Sequence, residues 1–66
     1  MKYRLKEIRE GKGITQEKLE ELSGVSRQTI SAIENNEEYQ AKVGTLMALA
    51  KALDTTVDSF LFAQAV

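Results

Sequence analysis

The chain contains no cysteine and no histidine. The first absence removes disulfides and thiolate metal sites; the second removes the commonest metal ligand and the usual general base at neutral pH. Carboxylates are plentiful, but no pair of them shares a site with a nucleophile, a metal ligand or a base. The expectation is therefore a protein that is not an enzyme and takes no metal and no cofactor. Long apolar runs are missing as well. Nothing approaches the roughly 20 residues that span a bilayer, and the charged start MKYRLKEIRE lacks the apolar stretch of a signal peptide. No membrane partner is expected, and the setting is taken as cytoplasmic. With 66 residues there is room for one domain. In that size range a single core supplies only about 3–5 kcal/mol, which leaves a role for a partner subunit.

An excess of positive charge, the usual footprint of a nucleic-acid binder, is also absent: the formal net charge is −1. Its distribution is uneven. Residues 1–13 carry Lys2, Arg4, Lys6, Arg9 and Lys12 against Glu7 and Glu10, a local +3 that leaves −4 on the remainder. Taken alone, such a cluster fits a solvated helix face as well as it fits a binding surface.

Proline is absent too, so glycine and polar residues are the only punctuation. No segment alternates with period two, and no strand is predicted. Apolar residues instead recur at helical spacing, which predicts one buried stripe per helix: Leu5 and Ile8; Leu19 and Leu22; Ile30 and Ile33; Leu46, Leu49, Ala50 and Leu53. A first helix over about residues 3–11 should stop at Gly11-Lys12-Gly13. Thr15 can cap a second over about 16–23, which Gly24 closes; Ser26 can cap a third over about 27–34, running out at Asn35-Asn36. A fourth, about 43–53, is apolar around most of its circumference, as suits a centrally packed element. Thr56 can cap a short fifth ending near Phe62. The fold class is all-α.

The stretch TQEKLEELSGVSRQTISAIENN, residues 15–36, holds the most information. Two short helices are separated by only Ser23, Gly24 and Val25, and a three- or four-residue turn containing glycine is the signature of a helix-turn-helix. Val25 should insert between the helices, over Leu19, Ile30 and Ile33. Spacing alone leaves a plain helical hairpin open.

The pattern T-Q-E-x-L-x-x-x-x-G-V-S-R-Q-T-I-S-x-I-E-N, followed by L-x-x-L-A-K-A-L and V-D-x-F-L, resembles the Cro and phage-repressor type of helix-turn-helix regulator, the Xre group. The resemblance covers about residues 4–61. It implies a compact five-helix, repressor-like DNA-binding domain over 1–61, with a third helix that enters the major groove of double-stranded DNA. With Ile30 and Ile33 inward, that helix should present Arg27, Gln28, Ser31, Ala32 and Asn35. Arginine pairs bidentately with guanine and glutamine with adenine, and recognition helices read bases with their N-terminal residues. Arg27, Gln28 and Ser31 are the candidate base contacts, although an arginine serves phosphates equally well. Gln16 matches a family position that bonds a phosphate and braces the neighbouring glutamine, here Gln28, from a helix N-terminus that itself favours phosphate. Thr29, Asn35 and Asn36 are further phosphate candidates, all of types that also cap helix ends. Arg9 and Glu34 correspond to a family pair that ties the first helix to the third and supports its orientation.

Two departures from the family pattern stand out. Glu37 and Glu38 occupy a loop that would run near the DNA backbone, where carboxylates weaken binding. Ala41-Lys42 replace a Pro-Ser start often seen at the fourth helix, and Gly44 lies in its first turn, so a loop that is mobile or differently shaped is expected. The chain closes with SFLFAQAV. Phe60 and Leu61 suit the core; Phe62 and Val66, in a tail over 62–66, are the candidate dimer interface, since surplus apolar side chains usually mark one. The leading expectation is a homodimeric, sequence-specific repressor on an inverted-repeat operator. The other is an antitoxin or antirepressor-like module that uses the same fold to hold a protein partner, a reading the acidic balance and Glu37-Glu38 favour.

Overall fold

A computed structural model describes residues 3–36 and 38–61. Five helices follow one another: α1 (Leu5–Gly11), α2 (Gln16–Ser23), α3 (Arg27–Asn35), α4 (Val43–Ala52) and α5 (Val57–Leu61). Among the described residues there is no strand, and no helix is long and apolar enough to cross a membrane.

The caps fall where side-chain chemistry puts them. Thr15 accepts a hydrogen bond from the Lys18 N–H at 3.0 Å, and Ser26 accepts one from the Thr29 N–H at 3.2 Å. Each satisfies an N–H that has no partner inside its helix. Gly24 ends α2 in the left-handed region, φ +79°, its N–H on the Glu20 carbonyl at 2.9 Å. The end of α1 is a Schellman motif: Gly13, φ +69°, bonds the Glu10 carbonyl, and Ile14 bonds that of Arg9. The end of α4 repeats it with Asp54, φ +55°, on Lys51 and Thr55 on Ala50. Thr56 precedes α5, where its hydroxyl meets that of Ser59 at 3.0 Å.

Helix α1 starts two residues later than the spacing suggests. Arg4 donates its N–H to the Phe60 carbonyl at 3.2 Å, and Tyr3 Oη accepts the Ala41 N–H at 3.4 Å. The leading residues are thereby engaged with α5 and the α3–α4 connection. No side chain caps α4, which begins after an extended Lys42.

Leu5, Leu19, Ile30, Ile33, Leu46, Leu49, Ala50, Leu53 and Phe60 form the core. Ile14, Val25, Tyr39 and Val57 pack against it, half-buried. Helix α2 packs on α3 and α4, α1 on α3, and α4 on α5. Each fully buried Leu, Ile or Phe contributes roughly 1.5–3 kcal/mol, and each of the five helices is anchored by at least one such side chain: Leu5, Leu19, Ile30 and Ile33, Leu49, and Phe60.

Leu22 departs from expectation, being 49% exposed. The buried face of α2 runs through Gln16, Leu19 and Ser23, at spacings of three and four residues. Ser23 takes the inner place and turns its hydroxyl to the Leu19 carbonyl at 2.7 Å. Helix α4 also leaves Val43 and Met47 exposed, so its apolar circumference is not buried all round. The side chains of Leu61, Phe62 and Val66, and all of Glu37, lie outside the described residues.

Candidate nucleic-acid interface

The corner between α2 and α3 consists of Gly24, Val25 and Ser26. The left-handed Gly24 reverses the chain, and the Ser23 hydroxyl accepts the Val25 N–H at 3.1 Å. Val25 then seats against the core. Because Ile30 and Ile33 are buried, the opposite side of α3 is turned outward. Arg27, Gln28 and Asn35 are exposed, and Ser31 and Ala32 are half-buried among them. Successive positions at about 100° put Arg27, Ser31 and Asn35 on one line along the helix, with Gln28 and Ala32 beside it. Asn35 Nδ2 donates to Ser31 Oγ at 3.1 Å, so these two form a polar pair on that face.

Thr29 and Asn36 sit differently. Thr29 is half-buried and its hydroxyl accepts from the Ser26 hydroxyl at 2.9 Å, within the cap of α3. Asn36 is exposed, and its Oδ1 accepts the Glu38 N–H at 2.9 Å, building the turn that leaves the helix. Both carry local structural duties beside the exposed face rather than on its line.

Behind the face lies an ion pair. Arg9 Nε donates to Glu34 Oε2 at 2.7 Å and Arg9 Nη2 to Glu34 Oε1 at 3.2 Å. The geometry is bidentate, with side chains only 9% and 1% exposed. Arg9 Nη1 also donates to the Ile14 carbonyl at 2.7 Å. The Arg9 guanidinium is held above its ordinary pKa, chiefly by the hydrogen bond to Glu34 and further by the charges of Glu34 and Glu10, against the opposing effect of burial. Among the described residues no buried side-chain nitrogen or oxygen lacks a partner.

Gln16, half-buried at the start of α2, joins this group. Its Nε2 donates to Glu34 Oε1 at 2.9 Å, and its Oε1 accepts from Arg27 Nε at 3.4 Å. The expected brace to Gln28 is not what the structure displays: the acceptor-only carboxylate of Glu34 claims the amide nitrogen, and the donor-only guanidinium of Arg27 claims the oxygen. Sequence reasoning paired Arg9 with Glu34 and singled out Gln16, but missed that all three are one network. The signal available was the capacity of each buried polar group, which must be filled.

An all-helical domain whose second and third helices meet across a left-handed glycine, with a polar face outward on the third, belongs to the helix-turn-helix class of DNA-binding domains. A family model described as Helix-turn-helix matches residues 5–60, and the chain belongs to that family, the Cro/C1 type of the Xre group. A DNA-binding transcription regulator is the class this membership implies. Comparison with curated proteins finds no match.

Proposed function

We propose that the chain represses transcription as a homodimer bound to an inverted-repeat operator, with α3 of each protomer in the major groove. Arg27, Gln28 and Ser31 contact base edges; Gln16, Thr29, Asn35 and Asn36 contact phosphates. Arg9 and Glu34 hold α3 in register. The observation that carries this reading is the exposed polar line of α3 backed by a buried bidentate pair: an outward face of readers on a helix whose orientation is fixed from behind. In a two-fold dimer the two recognition helices would lie one DNA turn, about 34 Å, apart. Phe62 and Val66 are proposed as the dimer interface and the cytoplasm as the setting, both on sequence grounds.

Titration of a fluorescent random duplex at low salt tests the DNA-binding part directly. Affinity should fall linearly on a log–log plot as salt rises, with a slope of about −0.9 per phosphate neutralised. Absence of any salt-sensitive affinity would instead favour a protein-holding module. The exposed carboxylates Glu17, Glu20 and Glu21 on α2 would suit a basic protein partner better than a phosphate backbone.

A further inference from the structure

The hydrogen bonds around Gln16 fix its polarity as well as its place. A carboxylate only accepts hydrogen bonds, whereas a carboxamide has one donating and one accepting end. Glu34 cannot turn to adapt, because Arg9 Nε holds its Oε2 and Arg9 Nη2 its Oε1 in a site that leaves the side chain 1% exposed. Gln16 must therefore present its NH2 to Glu34, at 2.9 Å. Its carbonyl then has to face the first turn of α3, where it meets Arg27 Nε at 3.4 Å. A buried, immobile carboxylate thus sets a hydrogen-bond acceptor beside the first residue of the third helix.

We propose that Gln16 is a positioning residue that couples the buried Arg9–Glu34 pair to Arg27. Holding the guanidinium by its Nε leaves the two Nη groups as the available donors, so Arg27 approaches a base end-on, with the fork that matches guanine O6 and N7. One hydrogen of the Gln16 NH2 remains for a phosphate, so positioning and phosphate contact are compatible. The effect on base preference rests on the reading of α3 as the recognition helix; the coupling within the free protein does not.

Two measurements separate those parts. In the free protein, the nitrogen–proton resonance of Arg27 Nε is compared between the parent and Gln16→Met, which keeps length and removes both ends of the amide. The expected result is a shifted Arg27 signal with faster exchange to water, while backbone amides of α4 stay in place. An unchanged Arg27 signal overturns the coupling. On DNA, Gln16→Met should lower the preference at the base pair read by Arg27 by about two- to tenfold, in line with couplings between contacting groups. In an Arg27→Ala background the same change should leave that preference alone. Equal losses in both backgrounds would show that Gln16 acts independently of Arg27. If no preference depends on Arg27 at all, its assignment as a base reader fails, and the resonance of the free protein alone decides the coupling.

Discussion

A guanidinium as buried as that of Arg9 is tolerated only because its donors are answered: Nε and Nη2 by Glu34, Nη1 by the Ile14 carbonyl. Its raised pKa means that its contribution to stability is complete below the unfolded value and is lost only as strong alkali passes the folded one. Near neutral pH the Arg9 charge is constant. Desolvation offsets most of the attraction, so its main effect is orientation rather than net stability. Removing one partner is another matter, because it strands the other charge. Arg9→Ala leaves Glu34 with Gln16 as its side-chain donor and should cost about 3–5 kcal/mol, against less than about 1 for a solvated pair. In a domain of this size the melting midpoint should drop steeply, and DNA affinity with it. An unchanged midpoint would contradict the burial of the pair. By contrast Lys18 and Glu21, 2.9 Å apart, are both exposed. The Glu21 carboxyl is held below its ordinary pKa by the Lys18 hydrogen bond, a contribution present above the unfolded value and lost as pH falls, and small in open solvent.

At the scale of elements, glycine and aspartate occupy equivalent left-handed positions, and this makes a test. Gly24 at φ +79° would meet nothing within 4 Å if given a Cβ. Gly24→Ala should therefore cost only the backbone term, roughly 1–2 kcal/mol. Asp54 at φ +55° already bears part of that strain, so Asp54→Gly should raise stability by up to about 1 kcal/mol. Urea midpoints read both, and a shift of the same sign in the two variants would show that the turns do not govern these positions. The same turns explain what the sequence makes legible. Thr15, Gly24 and Ser26 punctuate α2 and α3 because capping is local chemistry, and Ile30 and Ile33 identify the inner face because their spacing is helical. Leu22 was misread because Leu19 has two possible companions, Leu22 on one side and Ser23 on the other. Ser23 lies on the inner side, where its hydroxyl bonds the Leu19 carbonyl and accepts the Val25 N–H. The Gln16 partners were hidden for a related reason: they depend on α1, α2 and α3 being assembled, and no local pattern carries that information.

For the whole molecule, folding changes what the charge pattern means. The basic start reads as +3 from residue types, yet Arg9 is buried on Glu34 and Arg4 pairs with Glu7. Lys6 and Lys12 remain as the exposed cations of that segment among the described residues. Few phosphates would be neutralised per protomer, so a shallow salt slope is expected, and binding should lean on two protomers acting together. Deleting residues 62–66 should weaken self-association and operator affinity in parallel. A truncated chain that sediments like the parent and binds DNA as tightly would move the interface elsewhere.

The claim on which the rest depends is that α3 reads the bases, and it is tested most directly with an operator selected from a random pool and a panel of its single-base changes. Binding of the parent, Gln28→Ala and Arg27→Ala is measured across that panel at two salt concentrations. Gln28→Ala should lose about 1–3 kcal/mol of discrimination at one base pair while its non-specific affinity hardly moves. Arg27→Ala should lose discrimination at another and also flatten the salt dependence, since it removes a positive charge near the phosphates. Retention of the parent's full preferences by both variants would contradict the assignment of α3 as the reading helix.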